Sequence, residues 1–370
     1  MLRSPKQLTI AALTAVAVLA TSCGTESASN DEATNTDAAT KIVTDQRGED
    51  VAIPADVERI ASAVIPAPTL IAALDGSWDR IAGINQVLMN SNKQGIAAKI
   101  FPESLETPIV SDQSFTPNME TLLGLEPDVF IQWGDRSDDI IQPVEAAGIA
   151  TVGLEYGTQE DLETWVEIFG QVIGKEERAQ EFLDYMEEEK EAVTSGVAAL
   201  GADKVRGIEL NYGSESMTVR TQKDYAHDVF EAVGIENMGA QAPTSDGVVS
   251  PEQLLAWDPE IIFVSSFSDT TPDDIYNDPR FADITAVKDK RVYRTPVGMF
   301  RWQVPCEEAP LYWHWVAALT YPGEYKVDLP EFMKEKIQWM YNYELEDEDY
   351  DLILRTDINN VSANYDYVTQ

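Results

Sequence analysis

From about residue 59 onward, short runs of apolar and β-branched residues alternate with stretches whose apolar positions recur every three or four residues. Arg59–Val64, Ile81–Ile84, Asp128–Trp133 and Ile149–Leu154 read as strands. Between residues 161 and 200 the pattern changes. Leu162, Trp165, Ile168, Phe169 and Val172 fall at helical spacing, and Glu176 to Ala199 continues as a charged helical stretch interrupted only at Gly196. Alternation then resumes, with strands at Val205–Leu210, Ile261–Ser265 and Arg291–Arg294 and helices near Asp224–Val233, Pro251–Trp257 and Glu308–Leu319. Strands and helices in alternation predict an α/β protein with parallel sheets and crossover helices, in two lobes separated by a stiff helical connection.

An internal echo supports two lobes built alike. Asn118-Met119-Glu120-Thr121-Leu122-Leu123-Gly124-Leu125-Glu126-Pro127-Asp128-Val129 is matched by Ser250-Pro251-Glu252-Gln253-Leu254-Leu255-Ala256-Trp257-Asp258-Pro259-Glu260-Ile261. In each copy Asn118 or Ser250 caps a helix, and Glu120 or Glu252 sits in the first turn, where the dipole favours an acid. A Leu-Leu pair is expected to face the core, and Pro127 or Pro259 stops the helix before a buried strand.

The 370 residues suit two domain-sized cores. A net charge of −39 opposes association with nucleic acid or anionic membrane surfaces and fits a solvating surface, since the acids are spread along the chain. At the N-terminus, Arg3 and Lys6 precede an apolar run from Leu8 to Ala20 that is shorter than the roughly 20 residues a membrane span needs, so it reads as an export signal. Ala20-Thr21-Ser22-Cys23-Gly24 then resembles a bacterial lipobox, with Ala20 where Leu is more usual, which makes Cys23 the candidate lipid-anchored residue of the mature protein. Thr25 to Thr40 is polar, without an apolar period, and reads as a tether. The organisation expected is a signal peptide over 1–22, a tether over 23–40, an N-terminal lobe over 41–160, a connecting segment over 161–200 and a C-terminal lobe over 201–370. Cys306 is the one other cysteine and reads as a single thiol.

Five segments in order carry a family resemblance: Thr44-Asp45-Gln46-Arg47-Gly48 through Arg59-Ile60-Ala61, the Leu125-Glu126-Pro127-Asp128 segment, Gly174-Lys175-Glu176-Glu177-Arg178-Ala179, Ser250 to Pro259, and Ala286-Val287-Lys288 to Arg291-Val292-Tyr293. Over roughly Ile42 to Leu354 the chain resembles the substrate-binding proteins of ferric-siderophore, haem and cobalamin ABC importers. The resemblance implies two Rossmann-like lobes joined by a single long backbone helix, with the ligand cleft between them. It also implies a monomeric, lipid-anchored, extracytoplasmic protein that hands its solute to a permease with its ATPase. In that family one Glu on each lobe pairs with arginines of the permease, and the matching positions are Glu120 and Glu252.

Loops after the strands converge on such a cleft. Phe115, just before the first echoed helix, and Trp133, ending its strand, are the first-lobe candidates, because aromatic faces suit flat chelates. Tyr212, Arg220, Arg301 and Trp302 are chosen from the second lobe, where guanidinium groups can clamp anionic oxygens. The expected cargo is a chelated metal, a ferric siderophore first, with haem, cobalamin or a nickel chelate also compatible, and no intrinsic cofactor. A bare metal ion is disfavoured because His227 and His314 lie in helical patterns apart from any ligand cluster; Met89, Met299 and His227 are the scattered candidates for a haem axial ligand. The rival class is an exported α/β hydrolase, against which stand the lack of a Gly-x-Ser-x-Gly elbow and the placement of both histidines in helical patterns rather than after strands; the lack of a Gly-rich phosphate loop opening a helix stands against a nucleotide-driven enzyme.

Overall fold

The computed structural model describes residues 39–213 and 216–370. The export signal, Cys23 and nearly all of the tether lie outside the described residues, and Ala39 to Gln370 form one compact unit. Twelve strands occur in it: β1 (Thr40–Thr44), β2 (Asp50–Pro54), β3 (Ile60–Ser62), β4 (Ile81–Asn85), β5 (Ile109–Ser111), β6 (Val129–Trp133), β7 (Ala150–Leu154), β8 (Val205–Tyr212), β9 (Met217–Val219), β10 (Ile235–Asn237), β11 (Ile261–Val264) and β12 (Val292–Arg294). The first lobe is a parallel sheet of order β5-β4-β3-β6-β7. The second has the parallel order β10-β8-β11-β12, with β9 added antiparallel to β8. Strands buried on both faces read as continuous apolar runs, which is why the longer ones were visible in sequence.

β1 and β2 form an antiparallel hairpin, unmarked by the sequence pattern, that is stapled to the edge of the first sheet. Arg47 in its turn pairs with Asp45 (2.7 Å) and Glu145 (3.0 Å) and donates to the Thr151 carbonyl (2.9 Å), while Asp45 accepts from Gly153 N (2.7 Å). A Cβ at Gly153 would stand 2.5 Å from the Arg47 side chain, so only glycine admits this approach.

The connecting segment holds two packed helices, of which the second, 25 residues long, is the backbone helix that leads into the second lobe. Gln159–Ile173 opens with a capping box from Thr158 and Asp161 and stops at Gly174, whose φ of 67° lies in the left-handed region. Glu176–Leu200 then runs unbroken through Gly196 to β8. The two lie close because Gly170 faces Ala179, where a Cβ on Gly170 would come within 2.6 Å of the Ala179 Cβ. Gly196 is likewise roofed by the Tyr325 ring.

Two separate cores were expected. Instead one apolar cluster runs through both lobes by way of the connecting helices and the buried helix Ala309–Thr320, with smaller clusters over the outer faces of the two sheets. The chain after Thr295 joins the halves: Ile96 N donates to the Gly298 carbonyl (3.1 Å), and Lys99 pairs with Glu348 (2.6 Å) and buried Asp349 (2.5 Å). The acidic segment after Glu344 thereby ties the helix Asp347–Leu354 to the first lobe.

Candidate ligand cleft

The duplicated segments fold alike. Asn118 Oδ1 accepts from Thr121 N (3.1 Å) at the start of helix Met119–Leu125, and Ser250 Oγ accepts from Gln253 N (3.3 Å) at the start of helix Pro251–Trp257. Both end on a left-handed non-glycine residue, Glu126 (φ 46°) and Asp258 (φ 44°). Of each Leu-Leu pair, only Leu122 and Leu254 are buried; Leu123 and Leu255 face out, contrary to the expectation that both point inward. A clasp holds each helix to its sheet. Arg59 donates through Nε to the Leu125 carbonyl (2.8 Å) while its N–H reaches Asp128 (2.9 Å). Arg206 donates through Nε to the Asp258 carbonyl (3.2 Å) while its N–H reaches Glu260 (3.0 Å).

Beyond the C-terminal ends of these strands lies a cavity of about 240 Å³ lined by Ile65, Pro66, Phe115, Trp133, Arg136, Tyr156, Arg220, Phe267, Phe300 and Val304. Strand β6 delivers Trp133, 3% exposed, whose ring meets Phe115 (6.1 Å), Tyr156 (5.6 Å) and Trp165 (5.7 Å) in edge or tilted contacts. Phe115 takes φ 63°, and its carbonyl accepts from Gln132 (2.8 Å), which fixes the ring at the mouth. The Arg136 guanidinium lies 4.2 Å from the centre of the Phe115 ring and 5.4 Å from that of Trp133. Burial holds its pKa below the usual arginine value, and among the described residues no carboxylate is ion-paired with it. Burial also pushes the Tyr156 phenol up to about 12, so it stays neutral.

Arg220 follows β9, the added antiparallel strand, and contributes the second cation. It pairs with Glu209 (3.3 Å) and Asp224 (3.4 Å). Glu209, 1% exposed, is pushed up to about 7 because desolvation outweighs attraction to Arg220, and its second oxygen has no hydrogen-bond partner among the described residues. Phe267 is held from behind by Arg301, whose guanidinium lies 4.6 Å from the ring and bonds the Ser266 carbonyl. Desolvation, with Arg294 and Arg355 nearby, lowers Arg301 to about 10.

Of the residues chosen from sequence, Phe115, Trp133 and Arg220 meet at this cavity. Arg301 supports its wall through Phe267. Tyr212 bonds Asp278 (3.0 Å) and accepts from Arg280, outside the cavity. Trp302 is fully buried, donating to Glu308 (2.7 Å). Sequence reasoning missed Arg136 and Tyr156, although each follows a strand by two or three residues and could have been found by asking which loop residues lie past a strand's end. Among the described residues no group of three or more His, Cys, Asp or Glu could hold a metal ion. Met89 and Met299 are buried; His227 lies beside Asn237 (3.4 Å) and His314 between Glu189 (3.0 Å) and Tyr325 (2.8 Å). Cys306 is a buried free thiol, its pKa raised by burial.

Behind the cavity Glu307 and Glu308 are both inaccessible to solvent. Glu308 accepts from Trp302 Nε1 and from Met299 N (3.1 Å), and Glu307 accepts from Tyr341 (2.9 Å) and Thr69 (3.3 Å). Burial raises both, and proximity to Glu307 raises Glu308 further.

The profile of the periplasmic binding protein family matches residues 62–297, well over half of the chain. The chain belongs to this family. It is a solute-binding protein of an ABC importer, extracytoplasmic and without catalytic turnover, and its partner is a permease. It is 28% identical over 334 residues to the molybdate-binding protein MolA of Haemophilus influenzae, covering 82% of this chain and 91% of that one. A periplasmic solute-binding protein of Veillonella parvula superposes with a TM-score of 0.78 at 30% identity, covering 87% of this chain and 99% of the other. Helicobacter pylori CeuE with Ni(II) bound superposes with a TM-score of 0.72 at 22% identity, over 85% of this chain and 99% of that one, a likeness of fold. Among the described residues, no helix is long and apolar enough to cross a membrane.

Proposed function

We propose that this importer component captures a compact, anionic, metal-bearing solute. The observation that carries this is the pair of guanidinium groups, Arg136 and Arg220, at a small aromatic-walled cavity in a chain of net charge −39. An arginine without an ion-paired carboxylate, set against aromatic faces, is suited to anionic oxygens. At about 240 Å³ the cavity lies below the roughly 300–1,000 Å³ usual for drug-sized ligands, which favours an oxyanion of the kind MolA is named for over a bulky chelate. A ferric siderophore is the second reading, supported by the flat faces of Phe115, Trp133 and Tyr156, which suit a catecholate. Calorimetric titration of the chain from Ala39 with sodium molybdate, tungstate and sulfate, a ferric catecholate and haemin decides between them. Saturable binding of molybdate or tungstate but not sulfate supports the oxyanion; binding of the ferric chelate alone supports the siderophore; binding of neither group sinks both.

Two expectations accompany this reading. Glu120 and Glu252, exposed on matched helices, are the acids through which the protein docks on its permease, and loss of uptake in a Glu120→Ala/Glu252→Ala variant with normal solute binding tests it. Acylated Cys23 holds the protein, as a monomer, at the membrane; partition of Cys23→Ser into the soluble fraction tests that.

A further inference from the structure

The echoed helices carry a second matched feature. Among the described residues eight large apolar side chains are conspicuously exposed, and two of them, Leu123 (49%) and Leu255 (38%), occupy the same position of the duplicated segment. Single exposed leucines need no explanation. A leucine bared at one repeated position in both lobes, beside a neighbour that the same repeat buries completely, is a different observation.

Each leucine lies three residues after an exposed acid, Glu120 or Glu252, so acid and leucine share one helix face. The placement is rigid. Side-chain caps fix the helix starts and the Arg59 and Arg206 clasps fix their ends, leaving the outward faces nothing to do within the chain. Neither acid forms an ion pair among the described residues; Glu252 is held as the carboxylate by Ser250 and by the charge of Arg280, and both acids stay exposed where a cation of a partner could reach them.

We infer that Leu123 and Leu255 are paired apolar anchors for the permease, which presents to each lobe a cation beside an apolar socket. This rests on the docking reading of Glu120 and Glu252 and assigns the two residue types different work. The acids steer and orient through a field that salt screens, whereas the leucines supply contact that salt leaves intact. Because the motif occurs twice in one geometry, the partner surface it fits is itself repeated.

The test uses the full-length chain and its permease in proteoliposomes. Permease affinity is measured for wild type, Leu123→Gln/Leu255→Gln, Glu120→Gln/Glu252→Gln and a control, Leu105→Gln, which removes an equally exposed leucine (40%) elsewhere on the first lobe. Unchanged thermal midpoints show that the fold is kept. The leucine pair is expected to weaken affinity by about tenfold or more, with salt dependence unchanged, while the acid pair lowers the salt dependence and Leu105→Gln does nothing. If the leucine pair behaves like the Leu105 control, the anchors are refuted while docking through the acids stands. If instead the acid pair is silent and the leucine pair is not, the anchors hold and the acids lose their role.

Discussion

The two lobes share a scaffold and differ at the ends of their strands. In both, an arginine entering one strand clasps the last turn of the duplicated helix, and an acid entering the next strand receives that arginine's backbone N–H. At the far end the lobes part. The position that holds Trp133 on β6 is Ser265 after β11, buried and accepting from Gln303 (3.2 Å), and the second lobe reaches the cavity with Phe267, two residues later. Only the second lobe adds the antiparallel strand β9, which brings Arg220 over Glu209. Duplication preserved what holds the helix against the sheet, whereas the strand ends, which carry no such geometric obligation, were free to acquire ligand chemistry.

Several changes would break or sharpen this comparison. The largest effect is expected from Trp133→Ser, which gives the first lobe the residue of the second: loss of a buried indole should lower unfolding free energy by about 3–5 kcal/mol in denaturant titrations. A loss below 1 kcal/mol would mean that the wall is not packed as described. Arg220→Ala should weaken solute binding by about a hundredfold by calorimetry, and because the Arg220 charge and hydrogen bond hold Glu209 down, its loss should push the Glu209 carboxyl further up, so that the variant takes up a proton there that the parent protein releases.

Glu308→Gln probes the buried acids. Their raised pKa values mean that the folded state holds protons which the unfolded state releases above about pH 4.5. Stability should therefore fall as pH rises from there toward 8, by about 1–3 kcal/mol, and Glu308→Gln should flatten that fall. Parallel profiles for the two proteins would show that the pair does not carry the proton. The smallest effect belongs to the clasps: Arg59→Ala and Arg206→Ala should each cost about 1 kcal/mol, because both arginines remain partly in water. Unequal costs would show that the two halves are not energetically alike.

Much of the scaffold was legible because it is written locally. Caps, prolines and apolar runs announced the echoed helices and the strands after them, and apolar residues at a 3.6-residue period announced the connecting segment. The hairpin of β1 and β2 was not, because its five-residue strands bury few apolar side chains and it is held by Arg47 reaching Thr151 and Glu145 about a hundred positions away. Nor was the close approach of the two connecting helices, since nothing local in Gly170 says that Ala179 will stand against it. Trp302 and Tyr212 illustrate the limit at the site: residue type made them candidates, but Glu308 and Asp278 claim their polar atoms.

The sequence by itself determined an α/β protein with two lobes built alike, the helices that repeat between them and the family to which they belong, because periodicity, capping and order along the chain are local properties. Tertiary structure decided which loop residues share a cavity, that Arg136 stands over Phe115 with no ion-paired carboxylate among the described residues while Arg220 is held by Glu209, and that one leucine of each pair turns outward. Those outcomes depend on the register of distant strands and on how much water each group keeps, and neither quantity is carried by any one stretch of residues.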